Sequence, residues 1–420
     1  MRFIGEIAWK AIDMLNRIRI VSRVFVFLKK HIRGNEFKID SLKIIEPKKS
    51  ENQNSRYTII LPTIRKAKIF GGVQTALDFF IGLFENTDAD ARIIILSNES
   101  YDKRLAIEIE GFSTENEHRQ LLFLRSSIQV EIRKNDYFIF TTWRSAFIFI
   151  NVFNWQKETY MLDNRKAIYL IQDFESGFYA WSTPYMLSYS TYLTSNDSII
   201  AVFNSKELYD YFKSRGCFFA EELYFRPILN INLKTRLFVG KNSSARKKQI
   251  LIYGRPNEDR NAFELIRYSL GIWSEKYPDA SEWEIFSLGA PGKNIRLRHN
   301  TIVVKGKVSI EEYAELMLSS FAGISLMISP HPSYPPMEMS TFGVKTITNK
   351  FENKDLSGFN DNIYSIDRCT PNEICSYLIN ICEMYKLNSS GTISINEEYV
   401  NGNSFSEAII NAKKYIAELF

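Results

Sequence analysis

The residues of this chain best placed to do chemistry are Arg255, Lys305 or Lys307, and Glu338. Each follows an apolar run that reads as a strand: 249–253 before Arg255, 301–304 before the two lysines, and 323–328 before the loop leading to Glu338. Two cations at one sheet edge suit a diphosphate, one as a bidentate fork and one as a point charge. A nearby carboxylate suits ribose or sugar hydroxyls. Any one of the three taken alone is more often a surface residue; their corresponding positions in one half of the chain make them a set.

Glu338 lies in the stretch 329–349, which carries prolines at 330, 332, 335 and 336. Prolines so spaced forbid regular structure until about residue 337. Pro336 reads as the first residue of a short helix, because its missing N–H would be unpaired there anyway. That puts Glu338 in the first turn and Gly343 at the helix end. A carboxylate over the C-terminal edge of a parallel sheet stands where α/β proteins bind ligands.

The first half of the chain offers two further features. Gly71 and Gly72 follow the strand 57–61 and open a helix over 73–84, an arrangement that lets an anion approach free helix N–H groups. Asp173 and Glu175 flank Phe174 just beyond the strand 167–171. Either acid could serve as a base or bind sugar hydroxyls, or simply cap a helix. Asp88 and Asp90 form an Asp-x-Asp pair, but they precede a strand, on the wrong edge of a parallel sheet for a metal-held ligand.

The elements that must position these groups alternate strand and helix. Apolar runs at 57–61, 92–96, 136–141, 167–171 and 198–202 each end in polar residues before a helical pattern, the mark of a doubly wound parallel domain. Thr142, Trp143 and Arg144 leave the third of them. A polar stretch around 230–244 separates this from a second α/β set at 249–253, 284–288, 301–304, 323–328 and 362–366. Ser309 and Glu312 form a capping box for the helix after 301–304. The expected organisation is an amphipathic helix and linker over 1–54, a first Rossmann-like domain over 55–232, a second over 233–400, and a closing helix over 401–420 that returns to the first. The segment 34–55 is polar and lysine-rich and reads as linker.

With 45% apolar and 24% charged residues the composition is that of a soluble globular protein. A net charge of +5 is too mild to argue for nucleic acid without a clustered stripe. The four cysteines, at 217, 369, 375 and 382, have no metal spacing and read as buried thiols in a reducing cytoplasm. No signal peptide or membrane-spanning run is expected. Residues 1–33 are basic on one side and apolar with aromatics on the other, which suits either an anionic membrane surface or a helix docked on its own domain.

The motifs narrow further when taken together. Glu-Met-Ser-Thr-Phe-Gly at 338–343 resembles the donor segment of the retaining, glycogen-synthase-like transferases of the GT-B fold. Tyr-Leu-Ile-Gln-Asp-Phe-Glu at 169–175, Ile-Tyr-Gly-Arg-Pro at 252–256, His-Pro-Ser-Tyr-Pro-Pro at 331–336 and the run 348–356 resemble the WsaF-type rhamnosyltransferases, over roughly residues 55–420. The resemblance implies two Rossmann-like domains facing a cleft, dTDP-L-rhamnose as donor, and a growing bacterial surface glycan, such as an S-layer glycan or O-antigen on a lipid carrier, as acceptor. It implies no required metal or cofactor; the thiols and the basic segment 1–33 point to the cytoplasm, at the inner face of the plasma membrane. Carried over, Arg255 and Lys307 bind the diphosphate, and Glu338 the nucleoside or sugar. Gly71 and Gly72 make room for the diphosphate, and His331, Ser333 and Tyr334 line the donor site. Asp173, Glu175, Trp143 and Arg144 face the acceptor. The broader family carries a second glutamate eight residues before the one at 338; here that position is Pro330, which leaves His331 to stand in for it. A nucleotide-sugar 2-epimerase and a non-catalytic sugar-nucleotide-binding or scaffold protein share this architecture and are the rival readings. A homodimer is compatible with the sequence, which does not fix the oligomeric state.

Overall fold

The computed structural model describes residues 42, 44–65, 71–96, 106–124, 129–239 and 245–417. The amphipathic segment expected over 1–33 lies outside them. Residues 45–420 form a compact unit of their own.

Among the described residues the first lobe contains β1 (Glu46–Lys49), β2 (Arg56–Leu61), α1 (Gly71–Phe84), β3 (Asp90–Ile95), β4 (Arg119–Phe123), β5 (Gln129–Ile132), β6 (Asp136–Phe140), α2 (Trp143–Tyr160), β7 (Ala167–Ile171), α3 (Thr183–Ser190), β8 (Ile199–Phe203), α4 (Lys206–Ser214) and β9 (Glu221–Tyr224). Seven strands pair in the order β4-β3-β2-β6-β7-β8-β9, all parallel. Both faces are covered, so the strands are continuous apolar runs rather than alternating ones. Ile60, Phe138, Phe140, Tyr169 and Ile171 build one face; Ile59, Leu61, Ile139, Ile168 and Leu170 build the other. The chain order reverses between β2 and β6, so the crevice lies at the C-terminal ends of those two strands.

The polar stretch 34–55 is not all linker. Its residues 46–49 form β1, which pairs in parallel with β5. The side chains gave no apolar signal because the pairing rests on backbone bonds and three of the four residues are exposed. Next to it, the N-terminal sheet edge is closed by Asp136, which accepts from Arg56 Nε at 2.7 Å and Nη2 at 2.8 Å and lies 3.4 Å from Arg92. Asp90 belongs to this same edge, paired with Arg133 and with His118 at 2.7 Å.

The second lobe follows with α5 (Ile231–Val239), β10 (Lys247–Gly254), α6 (Phe263–Lys276), β11 (Glu284–Gly289), β12 (Ile295–Arg296), β13 (Thr301–Gly306), α7 (Ile310–Ser319), β14 (Ser320–Ile324), α8 (Tyr334–Thr341), β15 (Lys345–Asn349), β16 (Ile363–Ile366), α9 (Pro371–Leu387), α10 (Glu397–Asn401) and α11 (Ser404–Ala417). Its sheet runs β12-β13-β11-β10-β14-β15-β16, parallel except at β12. The helix α5, inside the polar stretch read as a boundary, buries Leu233 and Leu237 in the second lobe's core. The last helix, α11, buries Ala408, Ala412 and Ile416 in the core of the first. The switch point here lies between β10 and β14, so Arg255 and the loop after residue 324 flank the second crevice.

Two local expectations are corrected. The strand expected over 323–328 is β14 at 320–324. Beyond it the backbone finds other partners: Met327 N donates to Asn349 Oδ1 at 2.7 Å and Ile328 N to Arg260 O at 2.7 Å. The short helix begins at Tyr334, with Pro335 and Pro336 as its second and third residues, which places Glu338 in its second turn. Every N–H in a first helical turn lacks an intrahelical acceptor, so prolines fit at any of these positions. Gly343, at φ +91°, ends the helix as expected.

Candidate active site

Strand β7 delivers the first-lobe acids. Phe174 is buried against Tyr192, Tyr211 and Phe212, which turns its neighbours away from the core. Asp173 reaches the second lobe: its Oδ1 accepts from Phe174 N at 2.9 Å and from the hydroxyl of Ser329. Glu175 takes the other side and accepts from Trp143 N at the start of α2. Burial raises the Glu175 carboxyl to about 8, with the charge of Asp173 adding to the effect. Trp143 itself is buried, and its Nε1 donates to Tyr179 Oη at 3.0 Å. Arg144 is exposed, with its guanidinium 5.3 Å from the Trp143 ring centre.

Gly71 and Gly72 form the first turn of α1, at the C-terminal end of β2. A side chain on Gly71 would meet open space, whereas a Cβ on Gly72 would lie 3.1 Å from Gln172 Oε1. Glycine at 72 therefore keeps the helix N-terminus close to the residue preceding Asp173. One turn on, Thr75 Oγ1 donates to Gly71 O at 3.0 Å and lies close enough to the Tyr334 hydroxyl to favour its ionised form, which sets α1 of the first lobe near α8 of the second.

The second lobe supplies the cations. Gly254 ends β10, where a Cβ would sit 2.4 Å from Ser287 Oγ, so the strand can approach β11 closely just before Arg255. Arg255 Nη2 donates to Glu258 Oε1 at 3.1 Å. Tyr253 is within electrostatic reach of both Arg255 and Glu338, and burial together with the Glu338 charge raises its phenol. Glu338 Oε2 accepts from Tyr313 Oη on α7 at 3.0 Å. Burial pushes its carboxyl up to about 7. Of the two lysines, Lys305 pairs with Glu312 at 3.1 Å on the surface, while Lys307 is exposed just past Gly306, at φ +73°.

The loop after β14 closes the cleft. His331 is 6% exposed. Its N–H donates to Ser329 Oγ at 3.0 Å and its Nδ1 accepts from Ser333 N at 3.0 Å. The ring proton therefore sits on Nε2, which is buried and has no hydrogen-bond partner. Burial, helped by Lys354 and Arg260 and opposed by Asp173, lowers the imidazole to about 4, so it is neutral at ordinary pH. Ser333 takes φ +72°, a backbone region that costs a non-glycine residue energy and is tolerated where the surroundings demand it. Tyr334 places its ring 5.9 Å from the imidazole.

The fold brings Asp173, Ser329 and His331 together, with Glu175 beside Asp173, and sets Tyr253 within electrostatic reach of Arg255 and Glu338. It also adds residues that sequence patterns did not single out. Lys354 is fully buried, donates to Met327 O at 2.5 Å and is lowered to about 7 by burial, with Asp173 opposing. Arg260 lays its guanidinium 4.0 Å from the centre of Phe178 in the first lobe. Both sit in polar turns that read as solvated; only the Phe351–Lys354 bridge and the crossing of the two lobes remove them from water. Among the described residues no group of three or more His, Cys, Asp or Glu is placed to hold a metal ion, and no helix is long and apolar enough to cross a membrane.

Comparison with known proteins agrees with this architecture. The model of the WsaF N-terminal domain matches residues 56–206 and that of the WsaF C-terminal domain residues 248–379. Over 188 residues, 43% of this chain, the sequence is 29% identical to the O-antigen biosynthesis protein RfbC of Myxococcus xanthus, of which the matched part is 14%. Among solved structures, HepE of Anabaena in complex with UDP and glucose superposes with a TM-score of 0.54 at 12% identity, covering 87% of this chain and 99% of that one. WaaG, a glycosyltransferase involved in lipopolysaccharide biosynthesis, gives 0.52 at 10% identity over 86% of this chain and 99% of its own. Sucrose-phosphate synthase of Thermosynechococcus elongatus gives 0.51 at 10% identity over 87% and 95%. Two lobes of this topology, matched in order by the two domains of one family, make the fold GT-B and the chain a member of the WsaF family.

Proposed function

We propose that this protein is a glycosyltransferase that moves L-rhamnose from dTDP-L-rhamnose to a growing bacterial surface glycan. The observation that carries the reading is the meeting of two sheet edges: Asp173, beyond a strand end of the first lobe, accepts from Ser329 in the loop that leads to Glu338 at the second lobe's switch point, where Arg255 also emerges. Departure of a nucleotide diphosphate gathers negative charge as the C1–O bond breaks. Arg255, with Lys307 beyond it, supplies fixed positive charge where that develops. Gly71 and Gly72 leave the α1 N-terminus open to the same anion. Glu338 accepts hydroxyls of the nucleoside or sugar, and the Nε2–H of His331 donates to a sugar oxygen. Asp173 orients the acceptor hydroxyl, whose oxygen forms the new bond to C1 and whose proton ends on the departing diphosphate. No metal ion has a part in this scheme. The family match, the O-antigen relative and the UDP-bound HepE structure support a nucleotide-sugar donor and a glycan product. A lipid-linked acceptor would set the reaction at the inner face of the plasma membrane.

The test is nucleotide release from a panel of nucleotide-sugars, dTDP-L-rhamnose included, with and without acceptor oligosaccharide and with EDTA. Transfer should be fastest from dTDP-L-rhamnose and insensitive to EDTA. Conversion of donor to its 2-epimer without acceptor would replace the proposal with the epimerase reading. Tight donor binding with no turnover would replace it with the scaffold reading.

Glu338 gives a pH signature. A carboxyl held at about 7 is half protonated at neutral pH, and only the ionised form accepts two hydroxyl donors. Donor KM should therefore fall about 10-fold between pH 6 and pH 8. In Glu338→Gln the donor KM should be high and should lose the 10-fold fall, whereas an unchanged profile would remove Glu338 from donor binding. Lys354 and Glu175 titrate nearby, so the variant isolates the Glu338 contribution.

A further inference from the structure

Just beyond the acids of the first lobe, the chain from 174 to 205 contains no lysine or arginine and is dense in tyrosine, serine and threonine. It also exposes large apolar side chains that the reaction centre does not use. Trp181 is 95% exposed and Met186 is 64% exposed. Trp181 is held between two pinned elements. On one side a 3-10 turn, Glu175–Phe178, is tied to α3 by the bond from Ser188 Oγ to Ser176 Oγ at 2.9 Å. On the other, Pro184 sits in the first turn of α3. Tyr185 and Tyr189 stack along that helix, 6.3 Å apart and 11° from parallel.

This surface is continuous with the reacting edge. Glu175 holds Trp143 N, Trp143 Nε1 holds the Tyr179 hydroxyl, and the Trp143 and Tyr179 rings meet at 6.0 Å and 88°. Two residues on stands Trp181. A pyranose offers an apolar C–H face and a rim of hydroxyls. Aromatic faces suit the first, and Ser, Thr and Tyr hydroxyls the second. An exposed apolar patch on a soluble lobe marks a place where something binds. With no Lys or Arg of its own, the stretch 174–205 lacks the cluster of cations that an anionic lipid surface draws. Three cations approach from other elements: Arg144 over Trp143 and Arg260 over Phe178 at the inner end beside Glu175, and Arg215 beside Tyr189 at the outer end, 5.8 Å from the Tyr211 ring centre.

We propose that the shelf from Tyr179 through Trp181 to Tyr189 is an extended acceptor subsite, which stacks the sugars preceding the one that receives the transfer. The inference rests on the glycosyltransferase reading for its ligand class. An enzyme with such a shelf prefers long acceptors to short ones, because the outer sugars add contacts without touching the reacting centre.

The test compares wild type with Trp181→Ala and Trp181→Phe on rhamno-oligosaccharides of one to four sugars. In wild type the acceptor KM should fall as the chain lengthens. In Trp181→Ala the ratio of monosaccharide to tetrasaccharide KM should shrink about three- to tenfold, and Trp181→Phe should restore most of it. Equal effects on short and long acceptors, or none, overturn the shelf. Saturation-transfer NMR of the tetrasaccharide with each protein reads binding apart from transfer. Trp181-dependent binding without any transfer keeps the shelf and removes the transferase reading; no binding to the wild type overturns the shelf. Vesicles of phosphatidylglycerol and phosphatidylethanolamine give the remaining arm: Trp181-dependent flotation with an unchanged length ratio would make the patch a membrane contact and overturn the proposal.

Discussion

Arg255→Ala lowers kcat/KM for transfer by about 10²–10³-fold, the loss expected when one pre-aimed donor to a developing anion is removed. The fold should survive the change. Arg255 is mostly covered, but its partner Glu258, 3.1 Å away, is about a third exposed and can turn to water when the guanidinium is removed, so the loss should cost only about 1 kcal/mol. Denaturant midpoints of variant and wild type should therefore nearly coincide while transfer collapses. The position is built for the role: Gly254 brings the strand end within reach of Ser287 and Phe263, and the arginine then emerges at the switch point beside Tyr253. Arg255→Lys should recover only part of the rate, because an ammonium keeps the charge but loses the planar fork. Lys307→Ala should cost less, since Lys307 is exposed and its charge is better screened. Full turnover by Arg255→Ala would move the diphosphate site elsewhere.

The two-lobed fold was legible because a parallel sheet covered on both faces needs strands that are apolar at every position, and 57–61, 136–140 and 167–171 are such runs. The same logic exposed Arg255 and Asp173, each placed within two residues of a strand end. Glu338 was legible through its helix, though a turn too early, because nothing in the sequence says which residue of Tyr-Pro-Pro begins the helix. Strand β1 was hidden, since a lysine-rich tetrapeptide whose pairing is all backbone leaves no trace in side-chain periodicity. Lys354, Arg260 and Ser329 were hidden for another reason. Their meaning lies across the cleft: a lysine in a turn reads as solvated until the loop 327–331 folds over it. His331 is legible in the sequence as the head of the 331–336 motif and as the neighbour of Pro330. Its chemistry, a neutral ring with Nε2–H left over, comes from the Ser333 N–H that occupies Nδ1.

Asp173→Asn should separate the two halves of the site. In the proposed reaction Asp173 orients the acceptor hydroxyl, so transfer should fall by about 10²-fold, the cost of a misplaced nucleophile, with donor affinity unchanged. The substitution also strips Lys354 of the carboxylate that opposes its burial. The Lys354 ammonium, already depressed to about 7, should then titrate at still lower pH. The sign follows from linkage: a buried lysine whose folded pKa is below its unfolded value makes stability rise with pH, because the unfolded chain binds the extra proton. Asp173→Asn extends that slope to lower pH, so its destabilisation should be small near pH 9, where folded Lys354 is neutral in both proteins, and should grow as the pH falls from about 8 to 6. Urea unfolding at several pH values reads this directly. Adding Lys354→Met should recover stability at pH 6, since the cation without its carboxylate is gone, yet it should not recover transfer if Asp173 acts on the acceptor itself. Recovery of both in the double variant would make Asp173 a counter-ion for Lys354 and nothing more, and the acceptor hydroxyl would need another partner, for which Glu175, held at about 8, is the nearest carboxyl.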